Sequence, residues 1–219
     1  MKKLLTFFLM TLTITVFGQV KQKTNDFIPK GFIVFEKIPG DLNKDSIDDC
    51  VLIIKGTDTG KITTDEYRGQ SDRNRRGIIV LFNKKGHYEL ALKNYDCFSS
   101  EQEDGGVYFA PKLSIEIKKG NLYVHYGHGR YGYWKYTFRF QKTDFELIGY
   151  DASDNHGPVV NSKTSINFST KIKQVKVNTN ESADGGEEVF KTTSKKIKID
   201  KLIKLSDVKD FDELDMSIY

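Results

Sequence analysis

The sequence predicts an all-β fold, mainly antiparallel and built as a sandwich, a meander or a partly open barrel, with at most one or two short helices. Three observations carry this. Tyr, Phe, Val, Ile and Thr dominate the patterned stretches, and aromatic residues make up 12% of the 219-residue chain, a composition suited to pleated, half-buried surfaces. From Gly77 onward apolar and polar residues alternate with a period of two, which is the strand period. These runs recur at short intervals, with turns rich in Gly, Asn and Lys between them and only four prolines in all, as expected of hairpin-linked strands. No segment recurs at a fixed length, which argues against a propeller or solenoid.

Taken in order, Lys2 and Lys3 precede an uncharged apolar run from Leu4 to Phe17 and the small residue Gly18. That is the order of a cleavable signal peptide over residues 1–18, and the run is too short to span a bilayer. Cleavage after Gly18 predicts a periplasmic or extracellular protein with no membrane span after processing. No cysteine stands near the junction, so a lipoprotein is not expected. Loss of Lys2 and Lys3 lowers the formal net charge from +4 to +2. Nucleic acid as a partner needs a concentrated positive face, so none is expected. Arg73, Arg75 and Arg76 read as a solvated loop.

Residues 19–30 are polar and unpatterned, a flexible lead-in. A β-rich domain follows over 31–150, and 151–219 reads as a β extension of it or a small subdomain. Strands are predicted at Phe32 to Lys37 and Asp49 to Lys55, then an exposed loop from Gly56 to Arg75. Hairpins are predicted from Ile78 to Phe82 with Tyr88 to Leu92, from Leu113 to Ile117 with Leu122 to Tyr126, and from Tyr133 to Phe140 with Phe145 to Ile148. Ser165 to Phe168 and Val175 to Val177 suggest one more, followed by a mobile acidic loop from Asn178 to Glu188 and a strand from Ile197 to Leu205. Val208, Phe211 and Leu214 stand at helical spacing, which predicts a short helix over the tail. Cys50 and Cys97 are the only cysteines. In an oxidising compartment they can form one disulfide, although Cys50 inside an apolar strand also suits a free thiol acting as a small hydrophobe.

Chemistry is most concentrated between Asp41 and Asp49. Asp41, Asn43, Asp45 and Asp49 place side-chain oxygens at loop positions one, three, five and nine, and Ile47 offers its main-chain carbonyl at position seven. Calcium takes six to eight hard oxygens at once, and without a cation such carboxylates repel one another. The stretch resembles the calcium loops of the FG-GAP and dockerin-like kind, Asp-x-Asn-x-Asp-Gly-x-x-Asp followed by an apolar strand. The resemblance implies a structural calcium ion held by Asp41, Asn43, Asp45, Ile47 and Asp49. Ser46 departs from the pattern's glycine, and Leu52 stands where an EF-hand has its bidentate glutamate, which excludes an ordinary EF-hand. More broadly, Asp41 to Tyr150 resembles a set of uncharacterised exported bacterial proteins with one such loop near the front, a likeness that implies no activity.

Weaker constellations follow. Arg130, Tyr131, Tyr133 and Trp134 form an aromatic patch able to stack on a sugar face, or to cover a sheet. His125 and His128 are three apart with no third ligand nearby, against the usual three or four of a transition-metal site. No nucleophile elbow appears. These residues predict a secreted binding or structural protein rather than an enzyme, its partner a glycan or an exported protein. A glycan- or peptidoglycan-acting hydrolase using Glu101, Glu103 and Asp104 is a second reading, and an inhibitor or immunity-type protein that binds an exported enzyme a third.

Overall fold

The computed structural model describes residues 20–66, 69–101 and 111–219; the expected signal segment, residues 1–18, and Glu103 and Asp104 lie outside them. The fold is all-β: 56% of the chain is strand, the sheets are antiparallel, and among the described residues no helix reaches seven residues. Among the described residues no helix is long and apolar enough to cross a membrane.

The first half of the chain folds as β1 (Val20–Lys21), β2 (Phe32–Gly40), β3 (Asp49–Gly56), a small hairpin of β4 (Ile62–Asp65) and β5 (Gly69–Asp72), then β6 (Arg76–Asn83) and β7 (Tyr88–Phe98). Five of these strands form one sheet in the order β1-β7-β6-β3-β2. Its central strands are apolar without alternation because both faces are covered. Val51 and Ile53 of β3 feed the larger core, while Cys50, Leu52 and Ile54 face a second cluster under Phe27.

The second half is a meander, in which each strand pairs with the next: β8 (Lys112–Lys118), β9 (Asn121–Gly127), β10 (Gly132–Gln141), β11 (Asp144–His156), β12 (Val159–Asn167), β13 (Ile172–Asn178) and β14 (Phe190–Lys196). One of the antiparallel sheets is a half-barrel. Its tight turns place lysines in the left-handed region; Lys119 (φ 53°) and Gly120 (φ 70°) between β8 and β9 have the positive pair of φ angles that matches a hairpin's twist. The larger core lies between the two sheets. Leu122, Val124 and Tyr126 meet Phe138, Phe145 and Leu147 there, and Phe211 from the tail inserts among them.

Several expectations need correction. The lead-in is folded: Val20 pairs with Glu89, and Phe27 is buried at the end of a 310 turn, Thr24–Phe27. The 56–75 loop contains the β4–β5 hairpin. Arg76 is buried and Arg75 pairs with Asp96 and Asp210, so this cluster braces the core edge where a solvated loop was expected. The acidic 178–188 segment is tied down, with Asn178 and Glu188 accepting main-chain N–H groups. The last strand is Phe190–Lys196, and the predicted one from Ile197 lies in irregular chain that bonds its first N–H to Lys171 and forms a single β-bridge at Lys204. Its alternating Ile197, Ile199 and Ile203 still face the core; burial was read correctly and sheet pairing was not. The tail holds a 310 turn, Leu205–Asp207, and single turns in place of a helix; the three-residue spacing that buries Val208 and Phe211 is met by those turns. Cys50 and Cys97 are free and belong to the two different core clusters, on opposite faces of one sheet, so they are not bridged. The 150/151 boundary falls inside β11, which joins the extension to the same sheet.

Candidate functional site

Two places hold the residues singled out above. The first is the turn between β2 and β3. Asp41 accepts N–H groups from Lys44, Asp45 and Ser46 at 2.6, 3.2 and 3.0 Å. Asn43 Oδ1 accepts from Asp45 and Asp45 Oδ1 from Ile47, each at 2.9 Å. Lys44 (φ 65°) and Ser46 (φ 66°) take the left-handed conformation, so Ser46 bears the strain that a glycine would relieve. Asp49 is buried at the start of β3 and accepts N–H groups from Leu42, Asn43 and Asn83. It thereby ties the turn to the end of β6. Burial pushes its carboxyl above the ordinary range, against the pull of those three donors.

The groups suit calcium in kind, since all are hard oxygens, and a carboxylate has about four lone-pair sites, so even Asp41 and Asp49, which accept three N–H bonds each, keep one free. The carboxylates alone make no metal cluster: among the described residues no three His, Cys, Asp or Glu side chains come together as one. Any ion held at this turn would therefore need Asn43 and the Ile47 carbonyl as much as the acids.

The second place is on the half-barrel. Trp134, Ala152 and Thr164 are direct cross-strand partners on β10, β11 and β12, and such partners share a face. Trp134 packs on the larger core, which makes this the inner face; its ring stacks on the buried Tyr126 at 5.6 Å between centres. Past the edge of the packed core this face is only half-buried, and there it floors an open cleft of about 510 Å³. Tyr131, Trp134 and Tyr150 give the cleft its aromatic lining, and Asp154 and Ser162 its polar one; Tyr133 and Ser153 also line it, although the pleat sets this pair on the other face from Trp134 and Ala152.

One rim is the 310 turn Gly129–Tyr131. His128 sets its ring edge-on to Trp134 at 6.1 Å and lies 5.2 Å from the Tyr131 ring. Gly132 fixes where this rim stands. Its φ is 106°, and a Cβ there would sit 1.9 Å from the Ser153 carbonyl oxygen, so only glycine lets the turn close onto β11. Arg130 lies outside the lining, its guanidinium 5.6 Å from the Tyr131 ring centre.

Compared with protein-family models, curated proteins and solved structures, the chain matches none. The site is therefore read from its own geometry. Three of the four residues of the expected aromatic patch meet in the cleft. Tyr150 and Asp154 were missed because β11 was expected to end at Ile148 and runs on to His156, and Ser162 because the next strand was expected from Ser165 and begins at Val159. The alternation of Tyr150, Ala152 and Asp154 was the signal that could have found them.

The remaining candidates disperse. His125 pairs with Lys135, the neighbour of Trp134 in sequence, and so lies on the outer face, apart from His128. Its ring sits 3.3 Å from Ser114 Oγ, and burial, then Lys135, lowers its basicity. Glu101 lies 3.7 Å from Lys55, whose nearer partner is Asp72 at 2.8 Å.

Proposed function

We propose that this is an exported, all-β binding protein whose half-barrel cleft takes a ligand with flat, partly apolar rings edged by hydroxyls, the chemistry of a glycan. The observation that carries the reading is the placement of the chain's single tryptophan: Trp134 is half-buried on the inner face and lines an open cleft together with three tyrosines. Aromatic faces take the C–H faces of rings, and Ser153, Asp154 and Ser162 offer hydroxyl and carboxylate partners for ligand hydroxyls. Asp154 is the one carboxylate among the described lining residues, whereas glycoside cleavage commonly uses two. This supports binding over turnover.

Trp134 reports on its own site. Titration with a panel of soluble oligosaccharides is expected to shift or quench its emission, with the affinity checked by calorimetry and reduced at least about tenfold by Trp134→Ala, a loss of about 1.4 kcal/mol. Calorimetric silence across the panel would overturn the reading. Export is tested by mass spectrometry of protein recovered outside the cytoplasm, which is expected to begin at Gln19.

The acidic turn enters the same proposal as a structural calcium loop. The residue spacing supports it, as do the main-chain N–H bonds that hold the oxygens of Asp41, Asn43 and Asp45 in place. A site of the extracellular class, with Kd about 10⁻⁴–10⁻³ M, adds about 1–2 kcal/mol of stability in about 5 mM calcium. A thermal melt is expected to rise by several degrees over the same protein in chelator; identical midpoints would leave the turn self-bonded.

A further inference from the structure

The floor of the cleft does not stop at β12. The cross-strand row Trp134–Ala152–Thr164 continues through Val175 on β13 to Thr193 on β14, and the row beside it runs from Asp154 through Ser162 and Val177 to Lys191. With neighbouring strands about 4.8 Å apart, the path from Trp134 to Thr193 spans about 19 Å along the curved face. Val177 is 48% exposed and Thr193 and Lys191 are exposed too, so this stretch of inner face is open.

Its charge is one-sided. There is one lysine on β12, two on β13 and three on β14, and not one acidic residue on any of the three strands. Three of these lysines, Lys173, Lys191 and Lys195, share the inner face, since they continue the rows of Ile166 and Ser162. Lys173 is taken up by the tail: it donates to the Tyr219 main-chain oxygen at 2.7 Å and feels the Asp215 carboxylate. Among the described residues no carboxylate forms an ion pair with Lys191 or Lys195. The cleft end of the same face carries Asp154 and hydroxyls.

We infer that the inner face of the half-barrel binds a linear acidic glycan, one ring stacked at Trp134 and the carboxylates or sulfates of following units set against Lys191 and Lys195. This rests on the cleft being a glycan site and adds the length and the charge of the ligand. The layout favours an acidic glycan over a nucleic acid. A nucleic acid carries a phosphate at every unit and would bring one beside Asp154, whereas a glycan can present hydroxyls there and charge only further along.

The test compares, by calorimetry at low salt, an oligogalacturonate, a cello-oligosaccharide of the same length and an oligothymidylate, against wild type, Trp134→Ala and the double variant Lys191→Gln/Lys195→Gln. The oligogalacturonate is expected to bind best and to weaken as salt is added. The double variant is expected to lose about three- to tenfold of that affinity, the scale of two exposed ion pairs, and none of its affinity for the neutral chain. Trp134→Ala is expected to weaken both glycans. Equal affinity for the acidic and neutral chains, or no effect of the lysine substitutions, would overturn the acidic-chain inference and leave the cleft as a neutral glycan site. Tighter binding of the oligothymidylate would overturn it in favour of a nucleic acid. Binding of none of the three would remove both this inference and the glycan reading.

Discussion

β3 and β14 lie in sheets joined by one chain and differ in almost everything else. From Asp49 to Ile54 every residue of β3 is buried, because its sheet is packed on both sides; on β14 every residue but Phe190 is exposed. The first strand carries a continuous apolar run from Cys50 to Ile54, and the second, after Phe190, is lysine, threonine and serine. Burial on two faces makes a strand a structural element and little else. A strand left open on its inner face, next to a cleft, is free to carry residues chosen for a partner.

The sharpest way to break that contrast is to remove the packing from one side only. Phe211 is 1% exposed and stacks on Phe98 at 5.2 Å. Phe211→Ala is expected to cost about 3–5 kcal/mol in urea unfolding; a loss under about 1 kcal/mol would show that the tail is not part of the core. Gly132→Ala comes next, at about 1–3 kcal/mol. It is also expected to displace the His128–Tyr131 rim and weaken ligand binding, so unchanged affinity would detach the rim from the site.

Asp49 gives a smaller effect with a definite sign. Its native carboxyl is shifted up by burial, so between the unfolded and native values the folded state binds more protons. Its stabilising contribution is then largest below the unfolded value of about 3.9 and falls as pH rises through the native one. In chelator, the deficit of Asp49→Asn relative to wild type is expected to shrink as pH is raised through the carboxylate range, as read from urea midpoints; a deficit that grows would reverse the assignment. At the open end, Thr193→Ala is expected to change stability by no more than about 0.5 kcal/mol, and a larger loss would mean that β14 is covered after all.

The all-β class, the three main hairpins and the aromatic patch could be read in the sequence because each rests on local alternation and turn chemistry. What could not be read was set by distant contacts. Val20 and Lys21 carry no strand signal of their own and pair because β7 offers them an edge. Arg75 and Arg76 look like surface charge until Asp210 arrives from the far end of the chain. Cys50 and Cys97 were two thiols of unknown separation, and only the pleat of β3 and the course of β7 put them on opposite sides of a sheet. The cleft was half visible, since Tyr131, Tyr133 and Trp134 are neighbours in sequence, whereas Asp154 and Ser162 reach it only through the pairing of β11 with β12.

The missing side chain at Gly132 reaches further than one tight contact. A Cβ at Gly129 would meet nothing within 4 Å, but its φ of 53° still favours glycine; Arg130, exposed between the two glycines, is the position of the lip left free to vary while its foot is fixed. A change at Arg130 alone therefore alters the charge beside the cleft and leaves the sheet beneath untouched, much as a tool keeps its handle while the blade is changed.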